Sequence, residues 1–342
     1  MPKILIAGAG IAGGYLWRLL IKSGMSPGDI EVIDPGSQTR CGIPSCGFAT
    51  TTQFFGLCRE VEIDPEKYVL ARPDMGYANG MKFAVKGHIF SIDKPTFIKA
   101  LLKGAVVNPS ASDIAVERII DATGTARAHI GKYEHDVLFP CIQRKVEFRD
   151  EPVLAEYAHN VGYAWVIPLE GRNAHVGIGS STYDSEAMKK VIDSLAQGTK
   201  TICACQGLIR STGPILPLVR GNVWAVGEAG GIVDPLSGAG IIPAMVSAKL
   251  LVEHWDDPKG YEAAIMKKYG WFRKAAKLVE EWQDKGALNT RKLLGLWREY
   301  ADLAGLDYSV LSLARIDLVR SMLGVALRVP RLRRRRGMEQ SS

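Results

Sequence analysis

Three glycines near the start of the chain have the spacing of a phosphate-binding turn. Gly8, Gly10 and Gly13 form the pattern G-x-G-x-x-G between an apolar, strand-type run at residues 3–7 and a helical pattern. In this context the first glycine permits a tight turn, the second lets the backbone approach a pyrophosphate, and the third lets the helix pack closely on the strand. The phosphates would meet the N–H groups at the helix start, where the helix dipole favours negative charge.

A carboxylate at the end of the next strand extends this pattern. The apolar run Ile30–Ile33 ends at Asp34, which lies 26 residues after Gly8. A carboxylate at this distance accepts hydrogen bonds from the ribose of a bound dinucleotide. The strand, the turn, the helix and the acid together predict a Rossmann-like dinucleotide-binding domain. At this point a flavin and a nicotinamide cofactor both remain open.

A second glycine-rich segment occurs late in the chain and favours a flavin. The apolar run 222–226 leads into Gly227 and Glu228, and a turn at residues 234–240 precedes another helical pattern. A nicotinamide dehydrogenase has no need of such a late element, whereas the longer FAD molecule must also be held by a distant segment. The turn contains Pro235, Gly238 and Gly240.

These segments resemble the FAD enzymes related to p-hydroxybenzoate hydroxylase. The resemblance implies that Glu228, where that family usually has aspartate, contacts the ribityl chain of FAD. It also implies that the 234–240 turn places the positive end of the next helix beside the flavin N1–C2=O edge. A strand that ends in D-A-x-G, at Asp121 and Gly124, resembles the family segment that passes the FAD pyrophosphate. The implied cofactor is therefore FAD.

An aromatic strand face indicates where a substrate would lie. Alternation puts Tyr163, Trp165 and Ile167 on one face of a predicted strand. Such a face is often simple core, but this sequence resembles the Y-x-W-x-F-P signature of the geranylgeranyl reductase family, with Ile167 in place of the last aromatic residue. The resemblance implies that the three side chains line an apolar tunnel for a polyprenyl (geranylgeranyl) lipid whose carbon–carbon double bonds are reduced.

A cysteine-containing loop resembles the same family. Residues 44–50 are similar to the P-C-G-x-A-x loop of archaeal geranylgeranyl reductases, with an additional Ser45, and the resemblance implies that Cys46 faces the flavin. The matching segments extend from residue 4 to about residue 250. Cys41 and Cys46 also have the C-x4-C spacing of pyridine-nucleotide disulfide reductases, but the sequence lacks the Gly-Gly-Thr lead and the second G-x-G-x-x-G of those enzymes.

Two other functions share the FAD framework. An FAD-dependent monooxygenase of the p-hydroxybenzoate hydroxylase class differs only in its substrate half, and a non-catalytic FAD-binding protein would bind flavin without turnover. No second nucleotide motif identifies the electron donor, so NADPH, ferredoxin and a quinol all remain open. We expect Cys46 to be the catalytic residue beside the flavin. Five of the six histidines have no catalytic spacing and are interpreted as structural or surface residues, namely His88, His129, His135, His175 and His254.

Composition and charge are those of an ordinary globular protein. The chain has 342 residues, of which 47% are hydrophobic and 23% charged, and no stretch is apolar enough for a membrane helix. The chain has a net charge of +7, and six of these charges are arginines within residues 328–336. The rest of the chain therefore has a net charge of only +1, which argues against a nucleic-acid partner. The basic tail indicates either a solvated terminus or contact with an anionic membrane surface. Six cysteines without a zinc pattern favour a reducing, cytoplasmic location, and no metal site is predicted.

Together these patterns predict an α/β fold. A Rossmann-like FAD-binding domain of the glutathione-reductase and p-hydroxybenzoate-hydroxylase type is expected at residues 1–132 and 207–255, with the loop 41–85 contributing to the active site. An antiparallel β-sheet substrate domain is expected at 133–206. A helical C-terminal region is expected at 256–330, followed by the basic tail at 331–342.

Overall fold

The chain folds around two large β-sheets with helices packed on them. A computed structural model of the chain describes residues 3–36, 46–78, 80–111, 115–159, 162–180 and 184–285, together with residues 291, 292, 295, 296, 299 and 303. The strands are β1 (Ile4–Ala7), β2 (Ile30–Ile33), β3 (Ala49–Thr51), β4 (Val69–Ala71), β5 (Met75–Ala78), β6 (Met81–Ala84), β7 (Ile89–Ile92), β8 (Val107–Asn108), β9 (Arg118–Asp121), β10 (Leu138–Glu147), β11 (Leu154–His159), β12 (Gly162–Pro168), β13 (Asn173–Ser180), β14 (Lys200–Arg210), β15 (Val219–Arg220) and β16 (Val223–Ala225). The helices are α1 (Ile11–Lys22), α2 (Gln53–Glu60), α3 (Lys94–Leu101), α4 (Ser185–Leu195), α5 (Ile241–Glu253), α6 (Pro258–Tyr269) and α7 (Trp271–Lys285).

The first sheet is the predicted dinucleotide-binding sheet. Its strand order is β15-β16-β9-β1-β2-β8, and β1 pairs in parallel with both β2 and β9. All four residues of β1 are buried, because a parallel sheet is covered by helices on both faces and its strands are apolar throughout. The helix α1 packs against α5, so the helices that follow the two glycine-rich segments lie side by side. The predicted α/β fold class is confirmed.

The second sheet is largely antiparallel and contains the predicted substrate strands. Its order is β14-β10-β13-β12-β11-β5-β6, with one parallel pair between β11 and β5. One face packs on α4 through an apolar cluster that includes Ala164, Val166, Val176, Met188 and Ile192. The sheet includes β5 and β6 from the segment 41–85, which was predicted only to contribute a loop to the site. The opposite face is turned toward the dinucleotide-binding part of the chain.

A small third sheet and the later helices complete the described fold. Its strand order is β3-β7-β4, so the strand after Cys46 pairs with the strand before α3. Ser91 on β7 connects this sheet to the second sheet, because it donates a hydrogen bond of 2.5 Å to the Pro168 carbonyl at the end of β12. The helices α6 and α7 follow α5, as the predicted helical C-terminus requires. Among the described residues, no helix has the length and apolar character needed to cross a membrane. The basic tail at 331–342 lies outside the described residues.

Candidate functional site

The glycines of the first turn differ in what constrains them. Gly8 has a φ of +109°, and a Cβ on it would lie 2.3 Å from the carbonyl oxygen of Ala122. A Cβ on Gly13 would lie 1.9 Å from the carbonyl oxygen of Gly8. Both residues must therefore be glycine for the backbone to pack. A Cβ on Gly10 would meet no atom within 4 Å, so this glycine leaves open space at the start of α1.

The N-termini of α1 and α5 lack side-chain caps, as does that of the shorter helix α2. Helix α1 begins after Gly10 and helix α5 after Gly240, and neither has a side-chain cap or an acidic residue in its first turn. By contrast, aspartate side chains cap α3, α4 and α6. The first N–H groups of α1 and α5 are thus available to an anionic or polar ligand, which the helix dipole also favours. These are the two ends that a dinucleotide pyrophosphate and a flavin ring edge would occupy, so the residues fit FAD.

Asp34 connects the end of β2 to the glycine-rich turn. Its Oδ2 accepts a hydrogen bond of 2.7 Å from the backbone N–H of Ala9, and its Oδ1 accepts one of 2.7 Å from the N–H of Gly36. Each carboxylate oxygen has a second acceptor position, so Asp34 has the capacity to accept a ribose hydroxyl as well. The predicted role of Asp34 is therefore compatible with its contacts.

Asp121 shapes the loop that follows β9. It is fully buried, and its two oxygens accept hydrogen bonds from the N–H and hydroxyl of Thr123 and from the N–H groups of His129 and Ile130. With four donors on one carboxylate, Asp121 holds the backbone of this loop in place. Gly124, in this loop, has a φ of +64° and lies beside Glu228, whose Oε2 is 3.7 Å from the position of a Cβ on Gly124.

Glu228 and Gly227 form the matching loop after β16. The Oε1 of Glu228 accepts a hydrogen bond of 2.9 Å from the backbone N–H of Arg210. Burial raises the pKa of Glu228, although the hydrogen bond and charge of Arg210 act against the shift. Gly227 donates its N–H to the hydroxyl of Ser247 at 2.9 Å, which fixes this loop on α5. The loops that carry Gly124 and Glu228 therefore meet at one place.

A buried arginine that the sequence did not indicate joins these two loops to the second sheet. Arg210, at the end of β14, is 1% exposed and forms a salt bridge of 2.7 Å with Asp136. Its guanidinium also donates to the carbonyl oxygens of Gly124, at 3.1 Å, and Glu228, at 2.6 Å. Burial tends to raise the pKa of Asp136, but hydrogen bonds from Arg210 and Thr212 and the charge of Arg210 hold it below its usual value.

The turn at 234–240 lies against the aromatic face. Asp234 is fully buried and accepts hydrogen bonds from the N–H groups of Leu236 and Ser237, both at 3.1 Å, which fixes the turn around Pro235. The hydroxyl of Tyr163 donates to the carbonyl of Ser237 at 3.3 Å. A Cβ on Gly238, at a φ of +69°, would lie 2.6 Å from the Tyr163 hydroxyl oxygen. The element predicted to hold the flavin ring therefore meets the element predicted to hold the substrate.

The rings of the aromatic face lie over glycines of the neighbouring strand. A Cβ on Gly177 would lie 2.3 Å from the Trp165 indole, and a Cβ on Gly179 would lie 3.0 Å from the Tyr163 ring. The ring centroids of Tyr163 and Trp165 are 5.4 Å apart. The two glycines on β13 thus allow both rings to lie close to the sheet. Ile167 is buried further along β12, next to the loop that carries Cys46.

The loop at residues 46–48 is held by two side chains of the second sheet. Gln143 Nε2 donates to the Cys46 carbonyl at 3.0 Å, while Trp165 Nε1 donates to Gln143 Oε1 at 3.2 Å. The Nδ1 atom of His175 lies 3.4 Å from the Gly47 carbonyl oxygen. Burial lowers the pKa of His175 to about 4, and the positive charge of Lys145 lowers it as well, whereas the hydrogen bond to Gly47 acts in the opposite direction. The sequence did not indicate a role for Gln143. Cys41, the other cysteine of the C-x4-C pair, lies outside the described residues.

The fold and the site define an FAD-dependent flavoprotein, in which a largely parallel dinucleotide-binding sheet is combined with a largely antiparallel second sheet. A comparison with protein families agrees with this class. The family model described as tryptophan halogenase matches residues 110–282, which is half of the chain. The chain belongs to this family of FAD-dependent flavoproteins, and it is a flavin-dependent oxidoreductase.

Individual relatives extend beyond halogenases. The digeranylgeranylglycerophospholipid reductase of Methanosphaerula palustris is 35% identical over 99 residues, which are 27% of this chain and 25% of that protein. The chain thus matches about a quarter of the length of this curated relative. A geranylgeranyl bacteriochlorophyll reductase-like protein from Thermoplasma acidophilum aligns with a TM-score of 0.63 at 18% identity, over 96% of both chains. A tryptophan 6-halogenase from Streptomyces toxytricini aligns with a TM-score of 0.62 at 15% identity, over 82% of this chain and 77% of that one. At these identities the two structures share the fold.

Proposed function

We propose that this flavoprotein reduces carbon–carbon double bonds in the geranylgeranyl chains of lipids. The observation that carries the proposal is the aromatic face, in which Tyr163 lies over Gly179 with its hydroxyl at the 234–240 turn and the buried Trp165 lies beside it over Gly177. Such a surface would hold a flat, apolar alkene against a ring seated at that turn. The partial sequence match to digeranylgeranylglycerophospholipid reductases and the resemblance around Cys46 support the same substrate class.

The residues of the chain have distinct tasks in this reaction. FAD, when bound and reduced, supplies the hydride. An isolated alkene is a poor hydride acceptor, so the protein must orient it and keep bulk water away. Tyr163 and Trp165 would orient the chain, and buried apolar residues beside them, including Leu154 and Ile167, would exclude water. Cys46 would lie beside the reacting carbons, in the position that the resemblance implies.

A monooxygenase of the p-hydroxybenzoate hydroxylase class is the second candidate. The family match over residues 110–282 favours it, because that segment contains both the aromatic face and the 234–240 turn and belongs to a family described by an aromatic substrate. A probable FAD-dependent monooxygenase from Pseudomonas aeruginosa also shares the fold, with a TM-score of 0.63 at 12% identity over 87% of this chain and 99% of that one. In this alternative, Tyr163 and Trp165 would stack on an aromatic substrate.

An anaerobic reoxidation experiment separates the two functions. The bound flavin is reduced with dithionite, which replaces the physiological donor (NADPH, ferredoxin or a quinol), and a geranylgeranylated diether phospholipid is then added without oxygen. The reductase predicts recovery of the oxidised flavin band and a more saturated lipid by mass spectrometry. A flavin that stays reduced until air is admitted would contradict the reductase and favour the monooxygenase. The fully saturated lipid is the matched control and should cause no reoxidation.

A lipid substrate gives the basic tail a role. We infer that the arginines at residues 328–336 bind anionic headgroups and so bring the protein to membrane-borne substrate. Deleting residues 328–342 should weaken flotation with phosphatidylglycerol vesicles at low salt, while FAD content stays unchanged. Vesicles of neutral lipid provide the control. Undiminished binding of the truncated protein to the anionic vesicles would contradict this role.

A further inference from the structure

A glutamate shares the aromatic face of the second sheet. The strand register places Glu156 on β11 directly opposite Trp165 on β12, which is itself opposite Gly177 on β13. Gly177 is in turn opposite Gln143 on β10. Residues directly opposite each other across a sheet have side chains on the same face. Glu156 therefore lies in one row with the residues that hold the Cys46 loop and form the aromatic surface.

The alternation along β11 confirms which face Glu156 occupies. Its neighbours Ala155 and Tyr157 belong to the apolar cluster that packs on α4. Leu154, two residues before Glu156, belongs instead to the cluster of Trp165 and Ile167. Because β11 lies between β12 and β5, Glu156 is on an interior strand of the sheet. Its side chain faces the cofactor-binding part of the chain rather than an outer rim.

The aromatic rings leave this side of the face uncovered. Trp165 and Tyr163 lean over Gly177 and Gly179, which are on β13, and therefore away from β11. Solvent reaches the Glu156 side chain, although Leu154 and Trp165, which share its face, are buried. We call this accessible region beside the two buried side chains the cleft. Within the described residues, no lysine, arginine or histidine forms a salt bridge with Glu156.

The surroundings favour the neutral form of this carboxyl group. The protein packed around its carboxyl group desolvates Glu156 and so raises its pKa, even though solvent still reaches the side chain, and the negative charge of Asp234 in the neighbouring turn raises the pKa further. Tyr163 faces the same region from β12, and its own pKa is raised by burial and by the charges of Cys141, Glu156, Asp234 and Cys46. On β5, the residue opposite Glu156 is Ala78, which does not titrate. A raised pKa favours the protonated form of the carboxyl group, which is the form that can donate a proton.

We propose that Glu156 donates the proton that completes reduction of the alkene, an inference that rests on the proposed reductase function. The hydride brings two electrons from the reduced cofactor and forms one new C–H bond. The Glu156 O–H bond breaks, and its proton forms the second C–H bond on the neighbouring carbon. The alkene is thereby reduced and the cofactor oxidised. The resulting carboxylate takes up a proton from water that reaches the cleft.

A labelling experiment locates Glu156 without requiring turnover. The holoprotein is treated with a water-soluble carbodiimide and an amine, with and without the saturated diether phospholipid, and the modified peptides are measured by mass spectrometry. Glu156 should be modified in the absence of lipid and protected by at least about fivefold when lipid saturates the site. Glu186, which is exposed on the first turn of α4 against the opposite face, is the matched control and should show no protection. Equal labelling of Glu156 with and without bound lipid would overturn the proposal.

The catalytic test uses Glu156→Gln, Glu156→Asp and the control Glu186→Gln. Glu156→Gln should slow anaerobic flavin reoxidation by about 100-fold or more, because a positioned general acid contributes at least that factor. Its affinity for the saturated lipid should stay within about threefold of wild type, since the amide keeps the shape of the site. Glu156→Asp should recover part of the rate, and its rate should still fall at high pH as the carboxyl group loses its proton.

The outcomes separate this proposal from the one on which it rests. Absence of reoxidation by the wild-type protein would overturn the reductase function and the proton transfer together. If the wild-type flavin is reoxidised by the lipid and the rate in Glu156→Gln stays within about threefold of the wild-type rate, only the role of Glu156 would be overturned. A rate lost equally in Glu186→Gln would also contradict it, because that residue lies outside the cleft.

Discussion

The indole of Trp165 and the amide of Gln143 are hydrogen-bonded across two strands of the second sheet. Trp165 Nε1 donates to Gln143 Oε1 at 3.2 Å, and Gln143 Nε2 donates in turn to the Cys46 carbonyl at 3.0 Å. Gln143 is 3% exposed, so water does not compete for these contacts. One amide side chain thus determines both the orientation of a predicted substrate contact and the position of the predicted catalytic loop.

Replacing Gln143 tests this bridge. Gln143→Leu leaves the Trp165 N–H and the Cys46 carbonyl without their partner, which should lower the free energy of unfolding by about 1–3 kcal/mol. The rate of flavin reoxidation by lipid should also fall, with FAD content unchanged. Gln206→Leu is the control, because Gln206 is exposed on the edge strand β14. Equal stability and rate in Gln143→Leu and wild type would contradict a bridging role.

The predicted role of Cys46 is tested by a conservative change. Cys46→Ser should retain FAD and lower the rate of lipid-dependent flavin reoxidation by about tenfold or more, because the hydroxyl differs from the thiol in acidity and polarisability. Stopped-flow absorbance of the flavin band measures this rate. Cys203→Ser on β14 controls for a general effect of losing a thiol. A Cys46→Ser variant with the wild-type rate would refute a catalytic role.

Gly177 should be intolerant of any side chain. The Cβ introduced by Gly177→Ala would lie 2.3 Å from the Trp165 ring, so the indole must move away from the sheet. We expect a loss of about 1–3 kcal/mol in unfolding free energy and a changed tryptophan emission spectrum, since overpacking displaces rigid rings. Reoxidation by lipid should slow by roughly ten- to a hundredfold because the alkene is misplaced.

Gly56→Ala provides the comparison for this variant. A Cβ on Gly56 would meet no atom within 4 Å, and the residue lies inside helix α2, where alanine is favoured by about 1 kcal/mol. This variant should therefore be at least as stable as wild type. If Gly177→Ala behaved in the same way, the close approach of the Trp165 ring to β13 would be wrong.

His175 makes stability depend on pH in a defined window. Burial lowers its pKa in the folded protein to about 4, whereas the unfolded-state value is about 6.5. Between these values the unfolded chain binds more protons than the folded protein, so the free energy of unfolding should fall as pH drops from about 6.5 toward about 4. His175→Gln should make this part of the urea-unfolding profile flatter. His129→Gln, at an exposed histidine, is the control, and an unchanged slope in His175→Gln would contradict the assignment.

The cofactor half could be predicted because its signals are local in sequence. The strands Ile4–Ala7 and Ile30–Ile33 lie where apolar runs predict them, and the constraints on Gly8 and Gly13 come from atoms of the same strand–turn–helix unit or its neighbouring strand. Periodicity also predicted the aromatic strand, since a two-residue repeat directly specifies a face. The predicted cofactor contacts remain predictions, and for Asp121 the four loop donors favour an indirect role.

The residues that the sequence did not indicate owe their position to long-range pairing. Arg210 meets Asp136 across 74 positions, and Gln143 meets Cys46 across 97. Such contacts depend on strand register and on how two sheets meet, neither of which is encoded in a short motif. The sequence also did not indicate Glu156, because its proposed role depends on which face of β11 is on the side of the cofactor-binding sheet. His175 was interpreted as structural, and its burial against Gly47 is compatible with that interpretation.

The hydrogen bonds of Arg210 to the loops of Gly124 and Glu228 have a consequence for how a substrate would reach the site. Swinging the second sheet away as a rigid body would pull the buried guanidinium of Arg210 from the carbonyls of Gly124 and Glu228, and a buried polar group left without its hydrogen-bond partner costs about 1–3 kcal/mol. The second sheet is therefore held in place at the loops that carry Gly124 and Glu228. A lipid chain of the proposed kind would therefore have to enter between shorter segments at the edge of the site, without a hinge motion of the whole sheet.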